Sequence, residues 1–307
     1  MAVSAKDVMT LREATGLGMM DCKKALAEAD GDMEKAKEIL REKGILKADK
    51  KLNSRVAAEG VVAAYICDKC GKVGTLYEVN CESDFVARGP KFQEIVANVG
   101  KLIVEQNPAD VDALMALPFE GTTVEMYLKE AISVIGEKIA VRRFVRYETE
   151  GTLESYIHMG GKSGVMVEVD SASAAPELKE LAHDICLQIC AANATYVNKD
   201  EVPANVLEHE KEILMQQAIN EGKPANIAEK MVMGRIKKFY QDNCLMDQAF
   251  VKDGDKTIAQ VIKEAAPAIG SVITVKRFAH MVMGEGIEKK SEDLSAEVEK
   301  QIEAMKK

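Results

Sequence analysis

Apolar residues change their spacing several times along this chain, and each change marks a different kind of element. From residue 4 to about residue 44 they recur every three or four positions, the period of a helix face. Val8, Leu11 and Ala14 form a first stripe behind Ser4 and Asp7, a pair spaced like a capping box. Gly16-Leu17-Gly18 stops that helix, Cys22, Ala25 and Leu26 line a second, and Met33, Ala36, Ile39 and Leu40 line a third, expected to end near Gly44. Lys47 to Arg55, with Lys50 and Lys51, lacks large apolar residues and reads as a solvated linker.

From Glu59 the period shortens to two, the spacing of strands, and the pattern then repeats. Glu59-Gly60 to Tyr65-Ile66, Gly71-Lys72, Gly74, Leu76 and Glu78-Val79-Asn80 match Glu150-Gly151 to Tyr156-Ile157, Gly161-Lys162, Gly164, Met166 and Glu168-Val169-Asp170. The offset is 91 before the turn and 90 after it. Val141-Arg142-Arg143-Phe144-Val145 matches Val275-Lys276-Arg277-Phe278-Ala279 at 134. Each half therefore reads as a hairpin, then helices, then a returning strand, with one face of its sheet covered.

The growth of the offset from 90 to 134 implies an insertion of about 44 residues in the second half. Val206, Leu207, Ile213, Leu214 and Ala218 recur at heptad-like spacing, Gly222-Lys223-Pro224 turns, and Ile227, Met231, Ile236 and Phe239 follow. That is an antiparallel helical hairpin. Near the end, Leu294, Val298, Ile302 and Met305 predict one amphipathic helix. The expected fold class is α+β, divided as a three-helix module (1–53), a first core unit (54–148), a second (149–282) with its hairpin at about 200–243, and a C-terminal helical module (283–307). The first of these is similar to a ubiquitin-associated domain.

The chain turns on residues 80–92, Asn-Cys-Glu-Ser-Asp-Phe-Val-Ala-Arg-Gly-Pro-Lys-Phe. Leu76, Tyr77 and Val79 precede it in a strand, and Phe92, Ile95, Val96 and Val99 follow at helical spacing. Ser83 or Asp84 thus stands at a helix start, where a short oxygen-bearing side chain caps free N–H groups. Phe85 beside that polar turn is expected to be exposed, the position of a wedge for a partner's apolar pocket.

Ser83-Asp84-Phe85-Val86 resembles the Thr-Asp-Phe-Val motif of the bacterial elongation factor Ts family, with Ser in place of the usual Thr. Residues 15–26 (Thr-Gly-Leu-Gly-Met-Met-Asp-Cys-Lys-Lys-Ala-Leu), 156–161 (Tyr-Ile-His-Met-Gly-Gly) and 227–235 (Ile-Ala-Glu-Lys-Met-Val-Met-Gly-Arg) match the family in the same order. The resemblance implies an exchange factor for the GTPase elongation factor Tu. Ser83, Asp84, Phe85 and Val86 would act at the partner's magnesium site. Met19, Met20, Lys23 and His158 would add contacts, with one of the two methionines buried and the other exposed. The helical hairpin would be a protruding arm, and a homodimer through that arm or the core is a second partner expectation.

Charge and composition narrow the alternatives. A net charge of -9 argues against a phosphate-tracking groove and so against direct nucleic-acid binding. No run approaches the roughly 18 apolar residues of a membrane span, and Met-Ala-Val-Ser-Ala-Lys-Asp has no signal core, so the cytosol is expected. Seven cysteines, an odd number, read as free thiols. Cys67 and Cys70 alone have metal or redox spacing, and a zinc or redox protein using them is one rival reading. A ubiquitin-like or peptide-binding scaffold is the other. The four histidines include no nucleophile or metal motif, and His158 is expected to face the same end as Cys67 does in the first hairpin. Nothing in the sequence makes a case for an enzyme, a cofactor or a metal.

Overall fold

In a computed structural model, residues 3–173, 175–222 and 224–288 are described. The predicted C-terminal helix, with Leu294, Val298, Ile302 and Met305, lies outside them. Helices α1 (Ala5–Thr15), α2 (Met19–Glu28) and α3 (Met33–Ser54) bury Val8, Leu11, Cys22, Ala25, Leu26, Ala36 and Leu40 together. Ser4 accepts the Asp7 N–H and Asp32 those of Glu34 and Lys35, so both helix starts are capped by short oxygen-bearing side chains.

The third helix does not stop at Gly44. It runs on to Ser54, and the expected linker is its second half, with Ala48 buried and Leu52 packed into the next core. Gly44 is where α3 crosses a neighbouring helix: a Cβ there would meet Ser133 Oγ at 2.8 Å. The missing side chain serves close approach, not termination. Lys51 donates to the Gly136 carbonyl at 2.5 Å, so the basic stretch is partly spent on a helix end.

Strands β1 (Glu59–Ile66) and β2 (Val73–Cys81) form the first hairpin. There follow α4 (Asp84–Ala87), α5 (Pro90–Gln106), α6 (Val111–Ala116), the short strands β3 (Pro118–Phe119) and β4 (Thr122–Thr123), and α7 (Val124–Ile135). Strand β5 (Ala140–Glu148) returns beside β2, giving the order β1-β2-β5. The second half repeats this with β6 (Thr152–His158), β7 (Ser163–Asp170) and α8 (Pro176–Ala192). Helices α9 (Ala204–Asn220) and α10 (Ala225–Asn243) form the arm. After β8 (Ala249–Phe250), β9 (Asp253–Thr257) and α11 (Ile258–Ile269), strand β10 (Thr274–Val282) returns beside β7.

Each sheet is covered on both faces, not one. Helices cover the outer face, and the two sheets pack against each other through Val62, Leu76, Tyr147, Leu153, Met166 and Met281. Gly74 and Gly164, equivalent in the repeat, permit this approach: a Cβ at Gly164 would meet Val62 Cγ1 at 2.7 Å and Leu76 Cδ1 at 3.0 Å. In the arm, Leu214, Val232 and Ile236 form the seam with Ala228, while Ile213 and Ile227 are exposed. On α10 Ile236 is buried as expected, whereas Ala228 and Val232 take the places expected of Ile227 and Met231.

The repeated cation pairs have a structural cause. In each half a bulge in the returning strand sets two consecutive cations against one fully buried glutamate. Arg143 Nε donates to Glu78 at 2.7 Å and Arg142 at 3.1 Å; Arg277 Nε donates to Glu168 at 2.5 Å, with Lys276 at 3.2 Å. Burial disfavours both charges. At Glu78 the Gly284 N–H, Asn80 and the two arginines outweigh it, at Glu168 Thr149, Arg277 and Lys276 do, and both carboxyls sit below the ordinary 4.5. The folded chain thus binds protons more weakly than the unfolded chain. Their contribution is complete above the ordinary value and declines as pH falls through and below it. Chemical denaturation midpoints should accordingly drop below pH 4.5, and a Glu78→Gln, Glu168→Gln chain should lose this part of the decline.

Candidate partner surface at the Phe85 turn

Strand β2 ends at Cys81 and the chain must turn sharply before α5. Ser83 makes the turn by capping α4: its Oγ accepts the Val86 N–H at 3.3 Å. Asp84 is not the cap but pairs with Arg88 at 3.0 Å. Gly89 and Pro90 then open α5, Pro90 in the first turn where its missing N–H costs nothing. The one-turn helix α4 between Ser83 and α5 is absent from the sequence reading, which ran the turn directly into the long helix.

A residue that the sequence reading missed holds this turn. Glu137, 54 residues from Ser83, accepts the Ser83 hydroxyl at 2.7 Å and the Ser83 and Glu82 N–H groups at 3.0 and 3.2 Å. Glu82 in turn accepts the Lys138 N–H at 2.6 Å and Arg55 at 3.0 Å. No local pattern could reveal this, since the partners meet only through the fold. Burial pushes the Cys81 thiol up to about 12, and it donates to the Ser83 carbonyl at 3.1 Å. Ser83→Ala should cost the turn about 1 kcal/mol, read as faster hydrogen exchange at the Val86 amide with no change at α5.

The turn presents Phe85 to solvent at 84% exposure, and Val86 packs inward against the first core. Of the two methionines expected to divide, both are exposed, Met19 at 45% and Met20 at 62%. The first turn of α2 points away from the small core, which Cys22, Ala25 and Leu26 already fill. Lys23 is exposed as well. Gly16, just ahead of α2, lies against α7: a Cβ there would meet Val134 Cγ1 at 3.3 Å, with Lys91 Nζ reaching to 3.9 Å.

His158 is at the opposite end of the molecule from Cys67. The sheets pack with their hairpin tips pointing opposite ways, so the β6–β7 turn lies on the start of β1: the Val62 N–H donates to Gly161 O at 2.8 Å, and Lys162 pairs with Glu59 at 2.8 Å. Glu59 is in register with Cys81, two residues before Ser83. His158 and Phe85 therefore share one end. The Tyr156 hydroxyl and His158 Nδ1 share a hydrogen bond of 2.8 Å, which orients the exposed ring. Met159, not singled out from the sequence, is 74% exposed beside it. Among the described residues no three His, Cys, Asp or Glu side chains converge as metal ligands, and no helix is long and apolar enough to cross a membrane.

The family profile described as Elongation factor TS matches residues 82–285, from the Phe85 turn to the end of the second sheet. Over 300 residues the chain is 50% identical to the elongation factor Ts of Clostridium perfringens, an alignment spanning 97% of this chain and 98% of the relative. This chain belongs to the elongation factor Ts family. A further member, from Symbiobacterium thermophilum, is 50% identical over 305 residues, 97% of this chain and 98% of its own length. One from Trichlorobacter lovleyi is 47% identical over 306 residues, with the same coverage. Phe85, Glu137, His158 and the arm all fall within the part matched by the elongation factor Ts profile.

Proposed function

We propose that the chain binds elongation factor Tu in its guanosine diphosphate form and promotes release of the nucleotide. The observation that carries this reading is Phe85, an aromatic ring 84% exposed on a capped turn. A rigidly mounted exposed aromatic costs solvation and loses little entropy on docking, which suits an anchor. Family membership supplies the partner. Phe85 enters between two helices of the GTPase beside its magnesium site, with Ser83, Asp84 and Val86 around it. His158 reaches toward the phosphate loop from the same end, and Met19, Met20 and Lys23 hold the partner's base-side helix.

No bond chemistry is involved, so the chain is not an enzyme in this reading. A factor that binds nucleotide-free GTPase more tightly than the loaded form must weaken nucleotide binding by the same ratio. The test is calorimetric titration of this chain into elongation factor Tu, once stripped of nucleotide and once saturated with magnesium and guanosine diphosphate. The reading expects distinctly tighter binding to the stripped form. Equal affinity for the two forms would leave no coupling and would refute exchange.

A further inference from the structure

The seven thiols divide sharply by environment. Cys22, Cys81, Cys186 and Cys244 are buried. Burial pushes Cys81 up to about 12 and Cys244 to about 11, and raises Cys186 still further. Buried thiols meet no reagent. Cys190 is half-buried, with its sulfur 3.6 Å from the Ser163 hydroxyl.

Cys67 and Cys70 differ from all of these because they close the tip of the β1–β2 hairpin. The Cys67 N–H donates to the Val73 carbonyl and the Cys67 carbonyl accepts from the Gly71 N–H, both at 2.8 Å. Gly71 takes φ 63°, which a glycine adopts without strain. The Gly71-to-Cys67 bond closes an α-turn of five residues, with Cys67 first and Cys70 fourth. The two side chains meet across it, the Cys67 thiol hydrogen-bonding Cys70, and a disulfide spans roughly 4.4 to 6.8 Å between Cα atoms. Cys70 is exposed, and its sulfur accepts the Lys72 N–H at 3.4 Å. That N–H foremost, and then the Cys67 thiol, hold Cys70 below the ordinary 9.0. The nearby charges are Asp68, Lys69 and Lys72. Lys72 Nζ is committed to the Glu150 and Gly151 carbonyls at 2.5 and 2.6 Å.

We propose that the hairpin tip is a thiol–disulfide exchange site, in which Cys70 attacks a low-molecular-weight disulfide and Cys67 resolves the product to a Cys67–Cys70 disulfide. In the first step the Cys70 thiolate forms a bond to one sulfur of the small disulfide. The electron pair of the broken S–S bond leaves with the other sulfur as a thiolate. In the second step Cys67, its proton passed to water, attacks Cys70 Sγ and expels the remaining small thiolate. Two protein thiols are oxidised and one small disulfide is reduced to two thiols. The site lies at the far end of strands β1 and β2 from Phe85, roughly 26 Å away along the strand. It also sits on the joint between the halves, where the Thr149 N–H donates to the Lys72 carbonyl at 2.9 Å.

The full chain incubated with oxidised glutathione tests this by intact mass and peptide mapping. The wild type should lose two titratable thiols and two hydrogens in mass, with the cross-link mapped to Cys67 and Cys70. Cys67→Ser should instead accumulate a glutathione adduct on Cys70, formed about tenfold faster than any adduct on Cys190. Cys70→Ser should slow reaction at the tip to the Cys190 rate. Circular dichroism of both variants should match the wild type, since the tip is exposed. Adducts forming on Cys190 as fast as on Cys70, or oxidised protein with Cys67 and Cys70 both free, would overturn the proposal.

Discussion

Glu78→Ala is expected to cost about 3–5 kcal/mol of folding stability, the range for removing one partner of a buried ion pair. The carboxylate is fully buried and accepts Arg142 at 3.1 Å, Arg143 at 2.7 Å, Asn80 at 3.1 Å and the Gly284 N–H at 2.8 Å. Alanine would remove the shared acceptor of all four donors, leaving the Gly284 N–H unpaired and Arg142, Arg143 and Asn80 with only their bonds to Glu285, Val282 and Glu59. The damage crosses the molecule, because Arg143 also donates to the Val282 carbonyl and Gly284 follows the last strand of the second half. Glu168→Ala should cost less, since Lys276 and Arg277 are about half exposed and can turn to solvent. Glu78→Gln, which keeps volume and an acceptor, should fall between. Urea unfolding midpoints of the three variants check the order, and a Glu78→Ala chain within about 1 kcal/mol of wild type would show that the ion cluster does not hold the halves.

Phe85→Ala should have the opposite profile. The ring buries little in the free chain, so unfolding should move by no more than about 0.5 kcal/mol. Docking should suffer instead. Loss of an aromatic anchor typically costs about 2–4 kcal/mol, roughly 30- to 700-fold in affinity for nucleotide-free elongation factor Tu. Cys67→Ser with Cys70→Ser, at the other end of the hairpin, should leave that affinity unchanged.

These two residues also show what the sequence made legible. Phe85 was readable because a polar turn between a strand and an apolar-periodic helix leaves an aromatic no nearby core, and Phe92, Ile95, Val96 and Val99 are indeed buried together. The duplication was readable because matched positions recur at fixed offsets, down to Gly74 and Gly164 at the sheet contact. Other features depended on the tertiary arrangement. Gly44 has the look of a helix stop until Ser133 is seen against it, and only then does the basic stretch after it become helix. Glu137 carries no local mark of its role, as its partners lie 54 residues away. The end of the molecule that His158 occupies depends on how two sheets stack, which no periodicity encodes. Met19 and Met20 were divided between core and surface by habit of composition, whereas Cys22, Ala25 and Leu26 already close that core.

The central claim is that the Phe85 end of this chain drives nucleotide from elongation factor Tu. Release of a fluorescent guanosine diphosphate, followed at fixed magnesium with catalytic amounts of wild-type or Phe85→Ala protein, tests it most directly. The account predicts release accelerated many-fold by the wild type and nearly unaccelerated by the folded variant. Equal acceleration by the two, or none by the wild type, would contradict it.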